Sequence, residues 1–569
     1  MKERLIQAAL GEAPADLVLK NAQVVDVFTG TVFPADIAVV DGFIAGVGDY
    51  SEAAEVADLH GAFVAPGLIN AHCHVESSMA VPSAYCAEEL RWGVTTLITD
   101  PHEIANVAGL PGIQYMLDAS EGLPVNYYVM LPSCVPATPF EHAGCTLSAD
   151  DLAQLAVHPR VLGLGEMMNL PGVLGRDPGV LRKLTLFNGR IADGHAPQAH
   201  GRPLQAYIAA GVHTDHEAVS YGEAREKLRA GLAVLVREGS ASRNLEAILS
   251  GVLAESLSTG RLAFCTDDKH LADIRREGTV RWCVKKAVGL GMDPVRALRI
   301  ATLNAARIYN LPHLGAVAPG RQGDLVVFHD LQELDVLRVY QKGVLVAENG
   351  SVRQEFFAQS APAPEAIRGS VNLAPFDAAR LAPALEPGKR YPVIEMLPHE
   401  IATEKGSLTG AEAEKALENG QVCRIAVLER HHARGNIGCG LLRGYGLREG
   451  AAATTVAHDS HNLIVVGRDA HDMEAAVREL ERVQGGYTLV RGGQVLDTLP
   501  LPVGGLMSPL PPEELNACLQ RISKRARELG VQEGVDPFIT LSFMALPVIP
   551  KMRITDLGMF DAEKFSFCD

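Results

Sequence analysis

The chain has 569 residues, of which 47% are hydrophobic and 21% charged, with a formal charge of −17 at pH 7. This is ordinary globular usage with enough chain for several cores, which excludes a disordered protein and a small disulfide-stapled one. The acidic balance, 5% aromatic content and scattered basic residues argue against nucleic acid and anionic membranes as partners.

No run of about 18 apolar residues occurs, so no membrane span is expected. The N-terminal MKERLIQAALGEAPADL is broken by charge and lacks the apolar core of a signal peptide. The ten cysteines show neither framework spacing nor a C-x-x-C pair, as suits reduced thiols in a cytoplasmic protein.

In chain order, residues 19–50 and 320–350 read as short strands and turns. They predict a composite β-sandwich from 1–64 and 313–357, assembled from both sides of what lies between. From 65 to 312, buried-strand runs alternate with Ala-rich helical stretches. The runs are APGLINAHCH, VTTLITDPHE, VNYYVMLPS, VLGLGEMMN, RIADGHAP, HTDHE, LAVLVREGS and LAFCTDD. Eight βα units over about 250 residues predict an α/β fold with a closed (β/α)8 barrel. An open doubly wound sheet is the alternative, but no G-x-G-x-x-G follows the first run. The Ala/Pro-rich stretch 358–389 reads as a linker, and 390–569 as a further α/β domain.

Metal-binding residue types fall at the carboxyl ends of the runs. His72 and His74 end the first, and residues two apart on a strand face the same side. Glu166 ends the fourth, His195 the fifth, His216 the sixth and Asp267 the eighth. A single histidine beside a strand is ordinarily packed or solvated, and H-x-H alone is a weak sign. Six such residues at the catalytic face of one barrel point to a metal centre. Cys73 alternates away from the histidine pair, and Ser77 and Ser78 have no evident activating base.

The strings PGLINAHCHVESSM, TTLITDPHEIANVAG, GLGEMMN, DGHAP, HTDHE, REGSA and FCTDDKH resemble the amidohydrolase superfamily. Within it they are similar to the bacterial adenine deaminase family. GNIGCGL and TTVAHDSHNL resemble that family's extra domain, so the likeness covers nearly the whole chain. The resemblance implies two divalent ions per chain. His72 and His74 would hold one, with Asp267 as a further ligand. His195 and His216 would hold the other, with Glu166 between the ions where many relatives use a carboxylated lysine. Such ligands suit Mn²⁺, Fe²⁺ or Zn²⁺, and the resemblance favours Mn²⁺ or Fe²⁺.

The implied reaction is hydrolysis of adenine to hypoxanthine and ammonia, in purine salvage. Asp267 would take the proton of the attacking water and later deliver one to the departing ammonia. The ring nitrogen beside the attacked carbon also needs a proton, and Glu217, Glu238, Glu103 and His102 are unranked candidates. The T-D-D string resembles adenosine deaminases, which implies that Asp268 contacts the imidazole edge of the purine. The alternative is an N-cap role. His431, His432, His458 and His461 read as loop residues, with another metal, the barrel mouth or a subunit contact as alternatives. Two rival functions are a cyclic amide hydrolase of the hydantoinase or dihydroorotase type, and a non-catalytic scaffold. Symmetric homo-oligomers are the commonest assemblies, so a dimer or larger is expected.

Overall fold

The computed structural model describes residues 2–357, 361–398 and 402–568. Eight parallel strands form the barrel: β1 (Leu68–Cys73), β2 (Val94–Thr99), β3 (Asn126–Leu131), β4 (Val161–Met167), β5 (Ile191–Gly194), β6 (Thr214–Asp215), β7 (Ala233–Arg237) and β8 (Leu262–Cys265). They coincide with the eight runs read from the sequence. Every residue of β1, β2, β7 and β8 is buried. Strands covered on both faces need near-continuous apolar runs, which is why they stand out in the sequence.

Pairing runs β5-β4-β3-β2-β1 in one arc and β6-β7-β8 in the other. One seam closes where Asp267 N–H donates to the His72 carbonyl (3.0 Å), the other where His213 N–H donates to the Ala192 carbonyl (2.9 Å). Ile69, Ala71, Ile98, Met130, Leu235 and Ala263 pack in one cluster with Tyr309. Tyr309 Oη donates to the Asp193 carboxylate on β5 (3.0 Å), so the interior is a packed core, not a pore.

The flanks of the barrel join in one nine-stranded sheet. Phe63–Pro66 pairs antiparallel with Leu325–Phe328 and parallel with Ala15–Asp26. That strand belongs to the flanking sheet, so the barrel starts at Gly67–Leu68, slightly later than the expected 65. Gly67 sits at the junction because a Cβ there would lie 2.0 Å from Thr95 Oγ1. The sheet curls until Phe43–Gly48 meets the other flank: Ile44 N–H donates to the Arg321 carbonyl (2.8 Å). Leu17, Val24, Ile37, Val39, Leu325 and Val327 fill the curl.

From residue 361 the stretch read as a linker is docked, not loose. Ile367, Val371 and Leu381 are buried, and Gly504 N–H donates to the Ile367 carbonyl (3.0 Å). Residues 358–360 of that stretch lie outside the described residues. Isolated apolar residues among Ala and Pro carry no periodicity, so sequence reading could not see this docking.

The C-terminal region holds an eight-stranded, mostly antiparallel sheet with the amphipathic helix Ala470–Val483 packed on it. It is joined to the barrel by direct bonds. Asn462 Nδ2 donates to the His142 carbonyl (2.8 Å), His432 Nε2 to the Gly144 carbonyl (2.9 Å) and Ser508 N–H to the Met79 carbonyl (2.8 Å). No helix among the described residues is long and apolar enough to cross a membrane.

Candidate metal centre and active site

The carboxyl ends of β1, β4, β5, β6 and β8 bring His72, His74, Glu166, His195, His216 and Asp267 into one buried cluster. Glu166 lies at its centre. Its Oε1 faces His74 Nε2 (3.3 Å) and, more distantly, His72 Nε2 (3.9 Å). Its Oε2 faces His195 Nδ1 (2.7 Å) and His216 Nε2 (3.2 Å). Asp267 Oδ1 lies 3.0 Å from His74 Nε2 and 3.6 Å from His72 Nε2. Two ligands each about 2.1 Å from a tetrahedral ion lie about 3.4 Å apart, so these separations suit shared cations. Each histidine pair thus meets its own oxygen of one carboxylate.

Local bonds leave the right nitrogens free. His74 Nδ1–H donates to the Asp100 carbonyl (2.8 Å), which turns the Nε2 lone pair inward. Glu166 N–H donates to Asp100 Oδ2 (2.8 Å), setting the end of β4. Both ring nitrogens of His72 and Nδ1 of His216 are buried without hydrogen-bond partners. Buried polar atoms are rarely orphaned, and a cation would satisfy Nε2 of His72.

The electrostatics agree. Burial alone would raise Glu166, but His216, His102 and His195 overcome it and hold the carboxyl well below the usual carboxylate range. Asp267 is likewise held far down against burial by His72, His74 and Arg237. Burial also opposes charged imidazoles. Even so, Glu166 draws His102 up to about 10, and Glu217 with Glu166 draws His195 up to about 9. Two carboxylates held far below their ordinary range at the base of one cavity make a site for positive charge.

The remaining candidates separate. Glu217 lines the cavity but is gripped by Arg237, whose Nη2 donates to Oε2 (3.2 Å) and whose Nη1 meets Oε1. Burial is outweighed by Arg237 and His195, and Glu217 stays ionised below its ordinary value. Glu238 is a correction: its Oε1 accepts from Lys286 Nζ (2.8 Å), away from the residues lining the cavity. It fixes the loop after β7. His102 Nδ1 faces Glu166 Oε1 (3.1 Å) at the edge of the same cluster. Glu103 is buried, and burial plus the nearby Asp268 and Glu76 push its carboxyl well above the usual range. Ser77 Oγ links Glu103 Oε1 (2.8 Å) to Asp268 Oδ1. Asp267 has φ +57°, so the chain turns as it leaves β8, and Asp267 and Asp268 both line the cavity.

Sequence reading missed Arg237, whose Nη1 also donates to Asp267 Oδ2 (2.8 Å). Attention to the acid in R-E-G-S passed over its neighbour, although adjacent residues on a strand point to opposite sides. It also missed the C-terminal side of the cavity: His458, Asp459, Phe543, Leu546, Val548 and Ile549. The loop-residue reading of His458 is therefore corrected, because it borders the barrel mouth. His431 and His432 bond to the Ser460 carbonyl (2.8 Å) and the Gly144 carbonyl (2.9 Å), as structural loop residues do.

A buried cation braces the second histidine pair. Lys227 Nζ, fully buried, donates to Asp215 Oδ2 (2.6 Å) and to the Ala196 carbonyl (2.9 Å). Asp215 in turn accepts from Ala196 N–H (2.9 Å) and Glu217 N–H (3.0 Å), which ties the His195 and His216 turns together. Lys227→Met leaves Asp215 buried and unpaired, and should cost about 3–5 kcal/mol of stability. Urea unfolding of both proteins measures it, and a loss under about 1 kcal/mol would remove the brace.

The amidohydrolase family matches residues 63–176 and 179–346, and the adenine deaminase C-terminal domain matches residues 400–566. The chain is 47% identical over 571 residues to adenine deaminase 2 of Carboxydothermus hydrogenoformans, covering 99% of this chain and 98% of that one. The chain belongs to the adenine deaminase family. It is also 46% identical over 570 residues to the adenine deaminase of Dehalococcoides mccartyi (99% and 98% covered). With that of Halalkalibacterium halodurans the identity is 42% over 575 residues (100% and 98% covered). Both halves of an adenine deaminase family member are thus present in one chain. Membership of the amidohydrolase family implies a divalent-metal site, and the His/Glu/Asp cluster has the donors for one.

Proposed function

We propose that the protein hydrolyses adenine to hypoxanthine and ammonia, with His72, His74, Glu166, His195, His216 and Asp267 holding two divalent ions, Mn²⁺ or Fe²⁺ in preference to Zn²⁺. The observation that carries the reading is the Glu166 carboxylate, with one oxygen toward each histidine pair and Asp267 beside the first. The full-length likeness to adenine deaminases supports the choice of substrate. A divalent ion in such a site supplies water acidified toward a pKa of about 7.

The chain's own groups do the rest. Asp267, ionised and held by Arg237, accepts the proton of the attacking water as a C6–O bond forms. It returns a proton to the amino group as the C6–N bond breaks, so water and adenine become hypoxanthine and ammonia. Asp268, steadied through Ser77, faces the purine at the cavity wall. The apolar residues of the C-terminal side keep bulk water out. Purine salvage in the cytoplasm by a dimer or larger homo-oligomer completes the reading.

Adenine should be turned over with release of ammonia by Mn²⁺-supplemented protein, and adenosine much more slowly at equal concentration. Ultraviolet absorbance follows both. Equal rates on the nucleoside would overturn the free-base assignment, and ring opening of a hydantoin without ammonia release from adenine would favour the cyclic amide hydrolase.

A further inference from the structure

The cavity over the metal-ligand cluster has two unlike sides. The barrel side is charged, with Glu166, Glu217, Arg237 and Asp267. The C-terminal side is apolar except for His458 and Asp459. The His458 imidazole lies face to face with the Phe543 ring, centroids 4.8 Å apart and planes 21° from parallel. That contact fixes the plane of a ring whose Nδ1 is 3.5 Å from Glu103 Oε1, too far for a good hydrogen bond. Asp459, almost wholly buried, has an Oδ2 without a hydrogen-bond partner. A buried oxygen without a partner, beside an imidazole not fully engaged, is a costly arrangement unless a ligand completes it.

A third cation is the first ligand to consider, since Glu103, His458 and His461 lie within ligand reach of one another. The hydrogen count argues against it. His461 Nδ1 accepts from Ala457 N–H (3.1 Å), so its neutral ring carries hydrogen on Nε2 and has no lone pair there for a metal. A third cation is therefore not what the arrangement is built for. An imidazole offers one donor and one acceptor, and a flat apolar wall beside it suits an aromatic face. A planar heteroaromatic base, with ring nitrogens and N–H groups along one edge, matches both.

We propose that His458, positioned by Phe543, contacts the bound base from the C-terminal side of the cavity, so that the C-terminal domain determines how the base is recognised. The inference rests on the deaminase reading only for the identity of that base. His458 is then a substrate-binding residue and Phe543 a positioning residue. Neither belongs to the metal-ligand set, so their loss should be felt in binding, not in metal content.

The test uses full-length, metal-loaded protein with His458→Ala and, separately, Phe543→Leu. The readouts are metal content, kcat and KM for adenine, and inhibition by hypoxanthine. The expected result is unchanged metal content, kcat within about threefold, and KM for adenine and the inhibition constant for hypoxanthine both raised by about 10–100-fold in His458→Ala. Phe543→Leu should shift the same two constants by a smaller factor. Unchanged KM and inhibition constant in His458→Ala, or a fall in kcat alone, overturn the proposal, as does loss of metal. If His458→Ala does not fold, Phe543→Leu decides by the same split. If the wild-type protein releases no ammonia from adenine, the deaminase reading fails by itself. Equilibrium dialysis of adenine against wild-type and variant protein then decides the base contact.

Discussion

Asp267→Asn is expected to lower kcat for adenine by about 10²–10⁴-fold, the usual range for a general base, with further loss through the metal site. The geometry makes the change sharper than simple loss of a base. One carboxylate oxygen faces His74 Nε2 (3.0 Å) and the other accepts from Arg237 Nη1 (2.8 Å). An asparagine amide offers one acceptor and one donor group, so either the histidine side or Arg237 meets an N–H₂. If the oxygen stays toward the histidines, the amide hydrogens oppose the guanidinium, and Arg237 is left with Glu217 as its carboxylate partner. Asp268→Asn provides the contrast, because Asp268 faces the cavity and is tied to Ser77, whereas Asp267 Oδ1 faces His72 and His74. It should mainly weaken adenine binding, by roughly 1–3 kcal/mol. Steady-state kinetics with metal content checked on each variant separates the two. An active Asp267→Asn with raised KM, beside an inactive Asp268→Asn, would reverse the assignments.

Glu166→Gln should release metal and abolish most activity together. Its two oxygens face different histidine pairs, and Oε1 also faces His102 Nδ1 (3.1 Å). A neutral amide has one oxygen and one N–H₂, so it can serve one pair at most. The lost charge also removes part of the field that draws His74, His102, His195 and His216 upward against burial. Metal affinity should fall by at least about 10–100-fold, the range seen when even a supporting group is removed. Dialysis against a weak chelator followed by metal analysis measures this directly. Two ions retained per chain, with normal turnover, would remove the bridging role of Glu166.

The eight barrel strands and the six clustered residues were legible in the sequence for one reason. A parallel strand buried on both faces must be a short apolar run, and its carboxyl end is where that run stops at a polar residue. His72, His74, Glu166, His195, His216 and Asp267 all stand at such stops, so their shared location follows from the barrel without knowledge of any contact. Even the turn at Asp267 was implied by asking two adjacent aspartates to face one cavity.

What the sequence left open depends on partners far away along the chain. Glu217, Glu238, Glu103 and His102 are equivalent as strings. Arg237, Lys286, Ser77 and Glu166 respectively distinguish them, by ion pairs and hydrogen bonds that exist only once the barrel has closed. The docking of 361–389 and the placement of His458 and Phe543 over the barrel mouth are the same kind of fact. Periodicity reports which face of an element is buried, but not what covers it. Composition and spacing therefore determined the architecture and which polar residues gather at one end of the barrel. Tertiary packing alone decided the partners of each acid, which of them line the cavity, and that the C-terminal domain forms one of its walls.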